Sequence, residues 1–367
     1  MEEWKYWIAL KLIDGIGEVG IKNLISRFHS PRTVFESGLN ELEKVDGIGR
    51  KTAHSIKSFG DWEGVEKEIR DIDRLRLKLI VLTDSYYPKN LFNIYYPPPL
   101  IYLKGDLIPG DELAVAIVGS RVNDRYGKIV TEIISTELAL RGITIVSGMA
   151  RGIDSVAHVS ALKAGGRTIA ILGSGLDVVY PPENKKLYNE ISDNGAVISE
   201  FSLGLAPDAV NFPKRNRTIS GLSLGVIVIQ ASEKSGSLIT ASFGLEQNRE
   251  VFSVPGNITS KLSRGTHMLI KQGAKLVESV DDIMNEIEAF RNLKTNQSSE
   301  ESVNVFGELS DDERAIYSVL KNDPIHIDEI ITMTGINSAK ALSILLSLEL
   351  NGLLTQLPGK MFQLKRF

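Results

Sequence analysis

Four apolar runs of strand length, each closed by a small-residue turn, constrain this chain more than any other feature. Val115-Ala-Ile-Val runs into Gly119-Ser120-Arg121, and a helix-like segment from about Asp124 to Leu140 follows. Thr144-Ile-Val-Ser ends at Gly148, and Ile169-Ala-Ile-Leu ends at Gly173-Ser174-Gly175. Val226-Ile-Val-Ile-Gln230 leads to Ser235-Gly236-Ser237. Strand, glycine turn and helix together build a site for an anion: glycine lets the backbone come close, and the first free N–H groups of the helix point at the ligand. In a parallel sheet the strand C-termini share one edge, where ligands bind. The four turns therefore predict an extended anion-binding rim.

The surrounding pattern fits that edge. Between residues 113 and 288, strand-length runs at 114–118, 143–147, 168–172, 196–199, 224–230, 250–253 and 275–277 alternate with amphipathic stretches of helix length. This alternation predicts an α/β domain with a parallel sheet covered on both faces. Gly265 to Gly273 reads as a helix stopped by its last glycine. Upstream, residues 63–112 hold two further strands, Leu77–Leu82 and Leu100–Leu103, with proline-rich turns at Tyr86-Tyr-Pro and Tyr95-Tyr-Pro-Pro-Pro99. They are expected as an antiparallel extension on the sheet edge.

Both flanks read as small modules. Residues 1–62 carry Asp14-Gly-Ile-Gly17 and Asp46-Gly-Ile-Gly49, each followed by a helical stretch, at 19–28 and 50–59. Helix, Gly-hydrophobic-Gly, helix is the helix-hairpin-helix signature, whose second helix offers open N–H groups to a DNA phosphate. Arg50 and Lys51 beside Gly47 and Gly49 suit phosphate, whereas Glu18 in the first copy repels it. A second DNA contact and a plain packing module are equally open here. Residues 289–306 are polar and read as a linker. Residues 307–367 give three helices and a hairpin turning at Pro358-Gly359: an N-capped helix from Ser310, a second over Ile325–Ile331 and a third over Asn337–Leu350. This is a winged-helix pattern, but its third helix has one lysine, Lys340, and one glutamate, Glu349. Protein contact or packing suits it better than duplex readout.

Composition narrows the function. At 367 residues the chain accommodates two or three domains, and 43% hydrophobic residues suffice for a core. The net charge of -4 means that any nucleic-acid site must be a local basic patch. There are no cysteines, which excludes disulfide and thiolate chemistry. The start, Met1-Glu-Glu-Trp, lacks the basic residues of a signal peptide, and no apolar run reaches membrane-span length. A soluble cytoplasmic protein without membrane contact, cofactor or metal is expected.

The basic patch is at Asn211-Phe-Pro-Lys-Arg-Asn-Arg-Thr-Ile-Ser-Gly221. Lys214, Arg215 and Arg217 fall within four positions, just after Phe212 and before a helix-like run. Cations neutralise phosphate and an aromatic face stacks on a base, the pairing that single-stranded nucleic acid requires. Arg121, Arg151 and Lys234 are expected on the same rim.

With those residues in place, the chain resembles the DNA-processing protein A family (DprA, also called Smf). The matching segments are Gly119-Ser120-Arg121, Ser147 to Asp154, Ala157-His158, Leu172 to Asp177, Tyr180-Pro181 with Asn184, Ser199-Glu200, Phe212-Pro213 with Arg215-Asn216-Arg217, Ser220 to Leu222, Ser235 to Ala241 and Val254 to Asn257. They cover nearly all of the main domain, in order. The resemblance implies an extended Rossmann-like domain over 63–288, core 113–288, with the helical module before it and the winged helix after it. It implies single-stranded DNA bound in a basic pocket at the strand ends. It also implies a homodimer that protects the strand and loads a RecA-type recombinase, in natural transformation and recombination, alongside single-strand-binding protein and without turnover. By transfer, Ser120 and Arg121 hold phosphate, Arg151 lines the pocket, and Phe212, Lys214, Arg215, Asn216 and Arg217 form its wall. Gly119, Gly148, Gly173 and Gly236 let the protein backbone approach the ligand, with Ser174, Lys234, Ser235 and Ser237 beside them.

Two rivals use the same fold. A nucleoside-phosphate hydrolase would draw its acids and bases from Asp154, His158, Asp177 and Glu200. Against it, Asp154 stands where an aspartate caps a helix, and the chain has no Walker lysine motif, metal-ligand cluster or nucleophile elbow. A nucleotide-binding sensor is the second rival. Gly119-Ser120-Arg121 is not the G-x-G-x-x-G of dinucleotide binders.

Overall fold

A computed structural model describes residues 2–291, 310–320, 324–350 and 354–364. The chain divides into two compact units, Met1–Glu288 and Ala289–Phe367. Residues 292–306 of the expected linker and 307–309 of the expected winged helix lie outside the described residues.

The first unit opens with six helices: α1 (Glu2–Leu12), α2 (Glu18–Phe28), α3 (Pro31–Glu36), α4 (Leu39–Leu42), α5 (Arg50–Lys57) and α6 (Trp62–Arg74). The two glycine hairpins lead into α2 and α5 as their spacing predicts. Gly15 and Gly47 take φ of 86° and 79°, left-handed values that side chains avoid. Gly17 and Gly49 then start α2 and α5 without a side-chain cap. The helical module does not stand apart from the sheet. Trp7, Leu10, Leu24 and Ile56 belong to one apolar cluster with Leu79, Tyr102 and Ile198, so a single core runs across the boundary expected near residue 62.

A nine-stranded sheet follows: β1 (Lys78–Val81), β2 (Leu100–Gly105), β3 (Ala114–Val118), β4 (Thr144–Ser147), β5 (Thr168–Leu172), β6 (Ala196–Ser199), β7 (Gly225–Val228), β8 (Glu250–Ser253) and β9 (Lys275–Leu276). Its order is β1-β2-β6-β5-β4-β3-β7-β8-β9. From β6 to β9 every pairing is parallel, and β1 and β2 join antiparallel at the β6 edge. Strands β3 to β7 are buried throughout, which is why they read as continuous Val/Ile runs and not as alternating ones. The fourth run was expected to pair over 224–230, and the ladder stops at Val228. Beyond it, the backbone of Ile229 and Gln230 still bonds to Val118 and Ser120.

Helices connect the strands: α7 (Lys89–Phe92), α8 (Arg125–Leu140), α9 (Ile153–Lys163), α10 (Lys185–Asn194), α11 (Asn211–Leu222), α12 (Gly236–Glu246), α13 (Arg264–Lys271) and α14 (Val280–Glu286). From β3 the chain adds β4, β5 and β6 on one side, then β7, β8 and β9 on the other. The order reverses between β3 and β7, and in open α/β sheets the ligand crevice lies outside the strand C-termini at that point.

In the second unit, helices Asp311–Val319, Ile327–Thr334 and Ser338–Leu350 pack with a three-stranded antiparallel sheet of Ile325–His326, Leu354–Leu357 and Met361–Leu364. This is a winged helix. Ser310 and Glu313 form a capping box on the first helix. Where a helix was expected from Ile325, two residues pair with Phe362 and Met361 instead, and His326 caps the helix that follows. Lys340, the lysine of the third helix, is paired with Asp312. No single helix among the described residues is long and apolar enough to cross a membrane.

The strand-start edge is closely packed at Gly195, between α10 and β6. A Cβ there would fall 2.0 Å from the Thr168 carbonyl oxygen, whereas one on Gly236 would meet nothing within 4 Å. Gly195→Ala should therefore cost about 1–3 kcal/mol of unfolding free energy, as overpacked sites do. Gly236→Ala should leave the thermal midpoint near that of the parent chain. Equal midpoints for the two variants would contradict this packing.

Candidate nucleic-acid interface

Two of the strand-end turns are glycines because α11 lies across them. A Cβ on Gly148 would fall 2.4 Å from an Arg215 guanidinium nitrogen, and one on Gly173 2.9 Å from the Phe212 ring. At Gly119 it would fall 2.6 Å from the Ile153 side chain. The sequence suggested that these glycines let the backbone approach a ligand. Three of them admit the protein's own side chains, and only Gly236 opens onto free space.

The geometry around Phe212 follows from that placement. Arg215 is buried and donates to the carbonyl oxygens of Gly148 and Ile171, both at 2.5 Å. Its Cζ lies 5.7 Å from the Phe212 ring centroid, and the exposed Arg121 lies 5.0 Å from the same centroid. Tyr180 adds a second ring, 6.0 Å away and tilted by 39°. Burial lowers Arg215 to about 10, with Asp154 pulling the other way, so it stays charged at neutral pH. Asp154 is itself buried and accepts from the backbone N–H groups of Gly148 (3.2 Å) and Ala150 (3.4 Å). Burial raises its pKa and Arg215 opposes the rise.

These residues wall a cavity of about 620 Å³ between the ends of β3 and β7 and the start of α12. It takes in Gly119, Ser120, Arg121, Phe212, Arg215, Asn216, Ser235, Gly236 and Ser237 from the expected rim. A small adjoining recess shares Arg121, Phe212 and Arg215 and adds Gly148, Arg151, Gly173 and Ser174. Arg151 is exposed there and forms a two-point ion pair with Glu183. Another cavity, of about 560 Å³, lies at the strand-start edge, and its lysines are already paired, Lys78 with Asp106 and Lys89 with Glu112. The strand-end cavity is the one where cations converge around an aromatic ring.

Three expected site residues do not line it. The basic run forms part of α11, and residues two apart on a helix point about 200° away from each other. Arg215 faces the cavity, and Arg217 faces the opposite way into the protein, bonded to Glu200 (2.9 Å) and Glu18 (3.4 Å). Lys214 and Lys234 are exposed outside the lining. The second hairpin forms a separate open concavity at Gly47 and Gly49, with Arg50 and Lys51 exposed beside it. Sequence reasoning missed Asp154 as a buried counter-charge and Tyr180 as a second ring. Tyr180 had a usable signal, an aromatic shortly after a strand-end glycine turn. The helix N-termini also differ from the expected pattern. Asp124 caps α8 by accepting from Gly127 (2.9 Å), and the helix starts that border the cavity are those of α9, α11 and α12.

The side chains that a hydrolase would need have structural partners. His158 is fully buried with Nδ1 2.6 Å from the Thr168 hydroxyl. Asp177 accepts from the Gly204 N–H, and Glu200 accepts from Arg217 and Thr218. Among the described residues no group of three or more His, Cys, Asp or Glu is placed to hold a metal ion.

Fold and site together define a multi-module α/β protein with a cationic, aromatic-walled cavity at the switch point of a Rossmann-like sheet. The family model described as DNA recombination-mediator protein A matches residues 78–288. A DprA winged helix domain matches 307–360, and a SAM-like helix-hairpin-helix tandem matches 8–59. The chain belongs to the DNA-processing protein A family, DprA or Smf. It is 33% identical to protein Smf of Synechocystis sp. over 98% of each chain. It is 45% identical to DNA processing protein DprA of Streptococcus pneumoniae over 56% of this chain and 73% of that one. The X-ray structure of the pneumococcal protein superposes with a TM-score of 0.68 at 37% identity, covering 77% of this chain and 98% of that one. DNA processing protein A from Helicobacter pylori, described for its single-stranded DNA binding mode, gives 0.53 at 31% identity, covering 60% and 97%.

Burial, helped by the Arg215 charge, pushes His158 from 6.5 down to about 3. In the unfolded chain this histidine takes a proton near pH 6.5, and in the folded chain it resists to about 3. Acid therefore favours unfolding across that window. Urea midpoints should fall as pH drops from 6.5 towards 3, and His158→Gln should flatten that fall. An equally steep acid limb in the variant would contradict the assignment.

Proposed function

We propose that the strand-end cavity binds single-stranded DNA. The observation behind this is the Phe212 ring with the guanidinium groups of Arg121 and Arg215 5.0 and 5.7 Å from its centroid and Tyr180 next to it. Single-strand binders combine such a stacking face with backbone-neutralising cations, and they need no base-specific contact. The Helicobacter pylori relative supports the reading through its described single-stranded DNA binding mode. Within this proposal Ser120, Arg121 and Arg151 take phosphates, Phe212 takes a base, and Asn216, Ser235, Gly236 and Ser237 form the polar far wall. Lys214 and Lys234 act as outer charges on the strand's path. Gly47, Gly49, Arg50 and Lys51 offer a second phosphate contact.

The wider role is our inference from family membership. As a cytoplasmic homodimer, the protein protects incoming single strands and passes them to a RecA-type recombinase in the presence of single-strand-binding protein, in natural transformation and recombination. The role is one of binding without turnover. Its support is that His158, Asp177 and Glu200 are all committed to structural partners, and Asp154 to the backbone of its own turn.

Anisotropy titrations with a labelled oligonucleotide, single-stranded and duplex, at several salt concentrations test the binding step. The single strand should be preferred. Arg121→Glu should weaken binding and reduce the salt slope by about 0.7 for each phosphate that the variant no longer neutralises. Phe212→Ala should weaken binding by roughly 5- to 100-fold, the worth of one stacked base, without changing that slope. Folded variants that bind like the parent chain would remove the cavity from the mechanism. Saturable binding of a mononucleotide with none of the oligonucleotide would favour the sensor reading. For the recombinase step, adding the protein should shorten the lag of filament growth on strands coated with single-strand-binding protein.

A further inference from the structure

On the side of α11 away from the cavity lies a charge cluster that is buried at Arg217 and Glu200 and half-buried at Glu18. Arg217 bonds to Glu200, just after β6, and to Glu18, the first residue of α2. The Thr218 hydroxyl donates to the other oxygen of Glu200 at 3.0 Å. Lys11, at the end of α1, donates to the Glu200 carbonyl oxygen and lies 4.9 Å from the Tyr102 ring centroid. Tyr102 in turn donates to Glu68 of α6 at 2.5 Å. Three helices of the N-terminal module thus meet the sheet and α11 at one point.

Two walls of the cavity are rooted in this cluster. One is α11, which carries Phe212 and Arg215. The other is the segment after Glu200, which supplies Pro207 and Ala209 to the lining. Buried ion pairs contribute little net stability over apolar packing, and their best-attested use is to specify one register among alternatives. Arg215 holds the cavity side of α11 to the Gly148 and Ile171 carbonyls, and Arg217 is what holds the far side to the helical module. A guanidinium bonded to two carboxylates from different elements permits one arrangement.

We propose that the first helix-hairpin-helix is a brace for the DNA-holding helix, and that Glu18 is a positioning residue acting through Arg217. This rests on the single-stranded DNA reading of the cavity. It assigns a role to the one residue that makes the first hairpin unfit for phosphate. The two hairpins then divide the work, one facing inward as a clamp and the other outward with Arg50 and Lys51.

Glu18→Gln in the full chain tests the proposal, because the change is nearly isosteric and the Glu18 side chain is 37% exposed. Oligonucleotide affinity should fall by roughly three- to thirtyfold, as for residues that couple without touching ligand. The salt slope should stay as in the parent chain, since the same phosphates are neutralised. Deuterium uptake of 211–222 and 200–210, measured without DNA, should rise. Raised affinity with a steeper salt slope would mean that Glu18 faces the strand, and unchanged affinity would mean that it positions nothing. Either result overturns the brace. Unchanged uptake overturns it as well, whatever the affinity does. If the parent chain does not bind the oligonucleotide while uptake still rises in the variant, the brace stands and the single-stranded DNA reading fails.

Discussion

The cavity depends on one buried guanidinium. Arg215 donates to the carbonyl oxygens of Gly148 and Ile171, and this ties α11 to the ends of β4 and β5. Without its charge partner, a buried cation would cost several kcal/mol. Here Asp154 supplies the opposite charge, and the two carbonyls supply hydrogen bonds. Gly148 has no Cβ because the guanidinium fills that space, and Gly173 has none because the Phe212 ring does. Once α11 is seated this way, Phe212 faces the opening and Arg121 can close over it from β3. A strand-end glycine can thus mark a helix laid across the sheet as well as a ligand.

Charge is distributed so that an acidic chain presents a basic cavity. Asp154 fills the N–H groups of Gly148 and Ala150, the position an external phosphate would otherwise choose. Asp124 does the same for the start of α8. The backbone of these two turns is therefore satisfied from within, and the exposed cations left at the cavity and its adjoining recess are Arg121 and Arg151. Arg151 is held by Glu183 at the exposed rim, where a surface ion pair is worth little and exchanges readily. The resulting site has exposed arginines around a fixed ring. That suits a flexible strand whose phosphates do not arrive in one geometry.

Much of this could be read in the sequence. Strands β3 to β6 were visible as uninterrupted Val/Ile runs because burial on both faces removes the polar alternation. The hairpins were visible because Gly15 and Gly47 need backbone angles that other residues avoid. The winged helix was visible in its caps and in the Pro358-Gly359 turn, but not in Ile325–His326, which are too short to show a period. The cavity was legible as a set of turns and a basic run. Which residues face it was not, because Asn211-Phe-Pro-Lys looks like a turn with a proline in it. The helix in fact begins at Asn211, and proline is tolerated in a first turn, where its missing N–H is not needed. That shift of the helix start separates Arg215 from Arg217.

The separation gives a basic run two meanings. Arg215 and Arg217 are two positions apart and both buried, yet one looks into the cavity and the other into the protein. Helical geometry forces this: a cation on the ligand face leaves its i+2 neighbour on the far face. A far-face arginine needs carboxylates, and the chain supplies Glu200 from the sheet and Glu18 from the helical module. The glutamate that spoils the first hairpin for phosphate is therefore accounted for by the arginine on α11. Residues 199 positions apart in the chain are explained by one contact. Neither residue's chemistry makes sense from its own neighbourhood in sequence, because a local pattern records which charges are present but not which of them the fold will pair.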